Sequence, residues 1–262
     1  MAHLTYDITN GLATVTVGNP PQNRIDAQMS DELAEAVDAI GRSGARALLL
    51  RADGPDFCFG GDITPWPTMT TRELRALFEH HMSVFNRFER LPIPTIASVQ
   101  GHCFGGGLEL AIRADLIFAG QTARFGHPEQ SLGLVTFLGG VYRIAERAGR
   151  ARAAEMVFTS EPIPALTMQQ YGVVNRVFPD DALAAESLAF AQKIAGGPTL
   201  AHAAHKALLR AWTLGGVGAA DAAVFDIAMP LFETDDVKQG IPSAVNALAA
   251  GKPRPVLPWR GR

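Results

Sequence analysis

The alternation of apolar and polar residues predicts the start of the chain. Residues 4–9 and 12–17 are rich in Thr, Val, Ile and Tyr, as strands usually are. Asn10-Gly11 separates them, and this dipeptide is the favoured pair for a two-residue hairpin turn. The chain is therefore predicted to open with a β-hairpin.

Beyond the hairpin, short apolar runs alternate with amphipathic segments. Apolar residues at helical spacing predict helices over residues 29–40 and 71–90, and a Thr70 to Glu73 capping box precedes the second. Runs typical of buried strands occur at residues 47–51, 95–100, 116–118 and 173–178. After residue 181 the pattern is helical. This order predicts an α/β core over residues 1–197 and a helical C-terminal region over residues 198–262.

Composition places the chain among ordinary globular proteins. Its 262 residues include 23 Lys and Arg against 26 Asp and Glu, and 47% are hydrophobic. Without a basic block there is no footprint for nucleic acid or for an anionic membrane surface. We also find no secretory leader and no uninterrupted apolar run of ~18 residues. Cys58 and Cys103 are too few for a disulfide framework, so we expect a cytoplasmic protein.

Glycine is concentrated in two segments that each follow a predicted strand, residues 57–63 and 101–107. Such glycines let backbone N–H groups approach a ligand closely, and the second segment also opens a helix, which favours an oxyanion. A tight turn packed against a neighbouring strand is the alternative for either segment alone. Neither matches a dinucleotide or P-loop motif, so those sites are disfavoured.

Two carboxylates lie near the second glycine-rich segment. Glu109 sits within an apolar helix just after the glycines, and Glu129 follows Pro128. A glutamate at a helix start is commonly solvated, which is the alternative for Glu109. An apolar setting instead raises the pKa of a carboxyl toward the range useful for proton transfer.

Three ordered blocks of the chain resemble the crotonase, or enoyl-CoA hydratase/isomerase, superfamily. They are residues 57–63, 101–115 and 123–129. Residues 15–23 and 234–262 extend the resemblance to nearly the whole chain. It implies a spiral core of ββα units, with a C-terminal helical oligomerisation region that assembles a homotrimer or a dimer of trimers (a hexamer).

The resemblance also implies a chemistry. The backbone N–H groups of Gly61 and Gly106 would form an oxyanion hole for a thioester carbonyl, and Glu109 and Glu129 would hold a water molecule between them. The implied protein is an enoyl-CoA hydratase of fatty acid metabolism that adds water syn to a 2-enoyl-CoA thioester. Coenzyme A would be part of the substrate, and neither a separate cofactor nor a metal is expected.

Further residues near the matched blocks are predicted to bind the substrate. They are Arg24, Phe59, Asp62, Ile63, Thr64, Trp66 and Thr136. The chain departs from the family pattern after Gly133, where a Pro-Gly pair is common, and at His127, where Gln is frequent. Because the segment after Gly133 would line the acyl pocket, the resemblance leaves the acyl group open.

The sequence bears on two other functions. In a double-bond isomerase of the same superfamily the residue matching Glu129 shuttles a proton and position 109 need not be acidic, so retention of both acids favours the hydratase. Some relatives bind RNA through a Lys-rich helix, but here the arginines of residues 71–90 are interleaved with glutamates. The histidines at 80, 81, 202 and 205 are expected on the surface rather than at a metal.

Overall fold

The hairpin forms as predicted. In the computed structural model, which describes residues 1–261, strand β1 (Leu4–Thr9) pairs antiparallel with β2 (Leu12–Val17). Asn10 and Gly11 between them have φ of 52° and 78°, as the predicted turn requires. Residue 262 of the predicted C-terminal region lies outside the described residues.

The remaining strands build two sheets. They are β3 (Ala47–Ala52), β4 (Thr95–Val99), β5 (His102–Phe104), β6 (Leu116–Gly120), β7 (Arg124–Gly126), β8 (Ile163–Pro164) and β9 (Arg176–Phe178). Over residues 1–261 the main sheet has the order β1-β2-β3-β4-β6-β9, and every neighbouring pair after the hairpin is parallel. The second sheet, β5-β7-β8, carries the second glycine-rich segment.

Helices cover both faces of the main sheet, as its parallel strands require. The α-helices of the described chain are α1 (Ala27–Gly41), α2 (Thr71–Glu89), α3 (Gly106–Ala111), α4 (Gly140–Ala148), α5 (Arg150–Thr159), α6 (Ala165–Gln170), α7 (Leu183–Ala195), α8 (Thr199–Ala228) and α9 (Asp235–Ala249). The predicted capping box is present at Thr70 and Glu73. On one face Phe57, Phe85 and Phe88 join the main core, and on the other α7 packs against Leu49 and Phe118.

Helix α8 has little of its surface covered by the rest of the chain. It changes direction at Gly215 and Gly216, whose φ values of −151° and 70° are not helical. By length and composition alone, the segment Thr199–Glu233 is apolar enough to cross a membrane, and none of its most apolar window is buried. The break shortens the longer regular half to about 24 Å, less than the ~30 Å of a bilayer core. The segment is therefore weak evidence for a membrane span.

The sequence prediction differs from the structure in two places. The predicted strand over residues 173–178 is only three residues long, because Val173 and Val174 both donate their N–H groups to the Met168 carbonyl and close the end of α6. The short strands β5, β7 and β8 were not predicted, since two or three residues are too few to show alternation.

Candidate active site

The two glycine-rich segments lie against each other. The Cys58 N–H donates to the His102 carbonyl at 3.0 Å, and the Phe104 N–H donates to the Cys58 carbonyl at 2.9 Å. A Cβ added to Gly60, whose φ is +96°, would lie 3.2 Å from the Gly106 nitrogen. A Cβ added to Gly106 would lie 3.5 Å from the Gly61 nitrogen. Glycine is thus needed at position 60 for the two turns to approach this closely, whereas the tightest contact of a Cβ at position 106 would be with Cδ1 of Ile25, at 3.1 Å.

Two backbone amides at this junction are free to bind a ligand. Within the described chain, neither the Gly61 nor the Gly106 N–H donates a hydrogen bond to a protein acceptor. Gly106 is the first residue of α3, where backbone N–H groups have no partner within the helix. Both residues line the same cavity. Two converging free amides of this kind stabilise a developing oxyanion.

Glu109 enters the cavity from α3 and is held rigidly. It is only 3% exposed, and its Oε1 accepts the N–H groups of Leu138 at 2.8 Å and Gly140 at 2.9 Å. Burial raises the pKa of the Glu109 carboxyl and the charge of Glu129 adds to the rise, whereas His127 and the two N–H groups oppose it. The burial of Glu109 agrees with its apolar sequence context.

Glu129 enters from the opposite side, on the single-turn helix Pro128–Leu132. Its Oε1 lies 3.1 Å from the position that a Cβ of Gly105 would occupy, immediately before the free Gly106 amide. Its Oε2 is 3.6 Å from Nδ1 of His127. Both glutamates line the cavity, so the structure brings together two carboxyls and two free amides.

The cavity has a volume of about 270 Å³, and the rest of its lining is mostly apolar. Phe78 and Phe137 stack with ring centroids 4.3 Å apart and planes at 6°. Trp66 meets Phe78 edge-on at 5.2 Å. An apolar wall beside a few convergent polar groups is the usual form of a small-molecule site.

Most of the residues predicted to bind substrate line this cavity, namely Arg24, Phe59, Asp62, Ile63 and Trp66. Thr64 and Thr136 are not part of its lining. Thr64 is exposed, and its backbone N–H donates a hydrogen bond to Oδ1 of Asp62 at 3.1 Å. The Thr136 hydroxyl accepts a hydrogen bond from the Val141 N–H at 3.3 Å, near the start of α4.

Two of the lining groups are tied to their neighbours. The Arg24 guanidinium donates to the carbonyl of Gly61 at 3.2 Å, which fixes it beside the oxyanion turn. Hydrogen bonds from Thr64 hold the pKa of Asp62 below its usual range, so this carboxyl is charged at neutral pH.

Sequence reasoning missed several lining residues on α1 and α2. Phe78 lies in the helix predicted over residues 71–90, and nothing in the apolar spacing separates a core phenylalanine from a cavity one. His81 was predicted to be exposed, which is wrong. It is buried, its Nδ1 lies 2.5 Å from the Ser30 hydroxyl, and burial lowers its pKa to about 4. The signal in the sequence is its spacing, since His81 lies three or four residues from Leu77, Phe78 and Phe85 on one helix face.

The described residues include neither a cluster of metal ligands nor an exposed thiol. Among residues 1–261, no group of three or more His, Cys, Asp or Glu side chains is arranged to hold a metal ion. Cys58 and Cys103 are buried, and burial raises the pKa of the Cys58 thiol to about 12. A thiol in that state is a poor nucleophile at neutral pH.

The sequence model of the family described as "Enoyl-CoA hydratase/isomerase" matches residues 7–247. A Bacillus subtilis protein named "Probable enoyl-CoA hydratase" is 30% identical over 92% of this chain and 95% of its own length. "Probable enoyl-CoA hydratase 2, mitochondrial" of Arabidopsis thaliana is 34% identical over 63% of this chain, which spans 56% of that relative.

Among solved structures, an enoyl-CoA hydratase from Geobacillus kaustophilus superposes with a TM-score of 0.92. It is 27% identical and covers 100% of this chain and 98% of its own. The family match, the fold and the arrangement of glycine turns and glutamates agree with the resemblance found in the sequence. The chain belongs to the enoyl-CoA hydratase/isomerase family of the crotonase superfamily.

Proposed function

We propose that this protein is an enoyl-CoA hydratase, which adds water syn across the double bond of a 2-enoyl-CoA thioester. The observation that carries the proposal is the meeting of Glu109, Glu129 and the free amides of Gly61 and Gly106 around one apolar cavity. The reaction consumes only water and the thioester. It therefore needs no cofactor besides the coenzyme A of the substrate.

In this proposal the thioester oxygen accepts both free amides. A water held between the glutamates loses a proton to one of them while its oxygen bonds to the β-carbon. The π electrons move to the thioester oxygen as an enolate, and a single amide donor in such a site contributes ~10²–10³ in rate. The other glutamate then gives a proton to the α-carbon, so the two carboxyls together neither gain nor lose a proton.

The hydration reaction is favoured over isomerisation by the state of Glu109. Two backbone N–H groups occupy its Oε1, which leaves Oε2 as the oxygen that can accept a proton from water. Burial holds the pKa of this carboxyl above its usual value, nearer to the operating pH of a general acid or base. An isomerase that moves a proton with Glu129 alone has no need of an acid held in this way.

The test follows hydration of a panel of 2-enoyl-CoA thioesters by the loss of conjugated thioester absorbance. Glu109→Gln and Glu129→Gln should each lower kcat by at least ~10², because a general acid or base contributes that much. Glu155→Gln, an exposed glutamate of α5, is the matched control and should keep full activity. Circular dichroism checks whether each variant is folded.

The same variants separate the two reactions of the family. With 3-enoyl-CoA thioesters, an isomerase would lose activity in Glu129→Gln and keep it in Glu109→Gln. A wild-type protein that isomerises but does not hydrate any member of the panel contradicts the proposal, and so does near-full hydratase activity in both variants.

A further inference from the structure

His127 is a buried imidazole whose ring nitrogens both lack hydrogen-bond partners. It is 1% exposed, and no described residue hydrogen-bonds to its Nδ1 or its Nε2. Its Nδ1 lies 3.6 Å from Oε2 of Glu129, an oxygen that is likewise buried and unpartnered. Since buried polar atoms in native proteins are almost always paired, three such atoms beside a proposed acid require an explanation.

The ring is fixed in place from several sides. His127 lies between β7 and the single-turn helix Pro128–Leu132, and its backbone carbonyl accepts a hydrogen bond from the Ser160 hydroxyl at 2.8 Å. A Cβ on Gly140 would lie 2.2 Å from the ring Cε1 and 3.0 Å from Cγ of Glu109, so only glycine fits there. The imidazole therefore contacts the same backbone whose N–H group holds Glu109.

The charged groups that face this ring are the two glutamates of the site. Glu129 approaches Nδ1 from the Pro128–Leu132 turn, and Glu109 lies toward the other edge from α3. Helix α4 presents the backbone of Gly140, and Ser160 at the end of α5 contacts the carbonyl rather than the ring. The ring and Glu109 lie beside the same Gly140 backbone, so a positive charge on His127 would favour the ionised form of Glu109.

The two oxygens of Glu129 face different neighbours. Oε1 lies beside Gly105, next to the free amide of Gly106, and Oε2 lies toward His127. A donor on Nδ1 that closes the remaining gap to Oε2 would hold the carboxyl plane with Oε1 aimed at the substrate. A hydrogen bond to a charged group is among the stronger ones available in a protein.

We propose that His127 is a positioning residue for Glu129, donating from Nδ1 to Oε2 in the reacting state, and that its charge makes the activity of the glutamate pair depend on pH. This inference rests on the proposed role of Glu129 in hydration. Gln is frequent at this position in the family. The Gln side chain supplies a hydrogen-bond donor but has no ionisable group, so we expect the pH dependence only in chains with histidine here.

The experiment compares kcat, KM and the pH profile of kcat/KM for wild type, His127→Gln and His127→Leu. His127→Leu should lose about 10- to 100-fold in kcat with KM little changed, because it removes a hydrogen bond to a charged group. His127→Gln keeps a donor and should recover most of that loss. Its pH profile should nevertheless lack one ionisation that wild type shows.

A second readout does not depend on turnover. The ¹⁵N signals of the His127 ring, assigned by their absence in His127→Gln, should titrate differently in Glu129→Gln, because the facing carboxylate is gone. Thermal unfolding checks that each variant is folded, and if His127→Leu is not, the Gln variant alone still tests the pH profile.

The outcomes separate this inference from the proposed function. If Glu129→Gln is inactive while His127→Leu keeps wild-type kcat, His127 has no positioning role. If His127→Gln keeps the wild-type pH profile, the charge of His127 does not set the pH dependence. The hydratase assignment stands in both cases. If Glu129→Gln is fully active, the proposed function itself fails.

Discussion

Gly60→Ala tests whether the close approach of the two glycine-rich turns forms an oxyanion hole. Gly60 has φ +96°, and a methyl group there would lie 3.0 Å from the Phe104 carbonyl oxygen and 3.2 Å from the Gly106 nitrogen. Those distances are too short for the two turns to keep their spacing. The substitution must therefore move the Gly106 amide away from the Gly61 amide or cover it.

Gly54→Ala is a matched control, since Gly54 has φ +83° and no atom lies within 4 Å of its added Cβ. Both variants pay the positive-φ cost of about 1–2 kcal/mol. In a chain of this size that lowers Tm by roughly 2–8 °C. Only Gly60→Ala also displaces an oxyanion donor, so it alone should lose ~10²–10³ in kcat.

The assay is hydration of a 2-enoyl-CoA thioester, followed by absorbance at a temperature well below both melting transitions. Differential scanning calorimetry measures the stability of each variant in the same buffer. If Gly60→Ala and Gly54→Ala have the same kcat, the two amides do not work together as an oxyanion hole. If Gly54→Ala also loses activity, strain propagated from the turn explains the result.

Two other predictions follow from the cavity walls. The Phe78–Phe137 stack separates the cavity from an open groove along α2. Phe137→Ala should therefore raise kcat/KM for longer acyl chains by up to about fourfold per added methylene, because burying one methylene contributes ~0.8 kcal/mol. An unchanged chain-length profile over the enoyl-CoA panel would contradict this. Burial lowers the pKa of His81 to about 4, below the ~6.5 of a histidine in the unfolded chain. Between these two pH values the unfolded state binds more protons than the folded state. The free energy of unfolding therefore falls as the pH drops from ~6.5 to about 4. Urea unfolding at pH 7 and pH 4.5 should show that His81→Gln removes about 2–3 kcal/mol of that acid sensitivity, and equal sensitivity in both proteins would refute it.

The elements that the sequence predicted well are those with strong local signals. The Asn10-Gly11 turn and the capping box at Thr70 are determined by residues adjacent in the chain, and both form as predicted. The second sheet depends on pairing between β5, β7 and β8, which are too short to show a pattern and are far apart in sequence. Tertiary pairing of this kind has no local signature.

The residues of the candidate site show the same difference between local sequence signals and tertiary contacts. Glu109 and the glycine-rich segments were found from an apolar context and from spacing, both of which are local. The contact of Phe78 with Phe137 joins α2 to the segment before α4, and the hydrogen bond of His81 to Ser30 joins two helices. Such contacts between distant segments decide the shape of the cavity. That is why the sequence leaves the acyl group open although its local motifs indicate the family.

The exposed C-terminal helices support the prediction, made from the family resemblance, that the protein assembles into a trimer or a hexamer. Leu214 and Phe225 of α8 are 77% and 72% exposed, so this apolar helix does not fold back onto its own core. The break at Gly215 and Gly216 lies between these two side chains and divides the helix. Apolar surface of this extent on one element is typical of a protein interface.

Light scattering should therefore give a mass of three or six times the 27.9 kDa chain. The double variant Leu214→Asp and Phe225→Asp places two charges on this surface and should shift the mass toward the monomer, because an unpaired charge is costly in a buried interface. Tyr6→Asp on the exposed edge strand β1 is the control and should leave the mass unchanged. A wild-type protein that is an active monomer at micromolar concentration would refute the assembly and leave the proposed chemistry untouched, because Glu109, Glu129 and both free amides come from one chain.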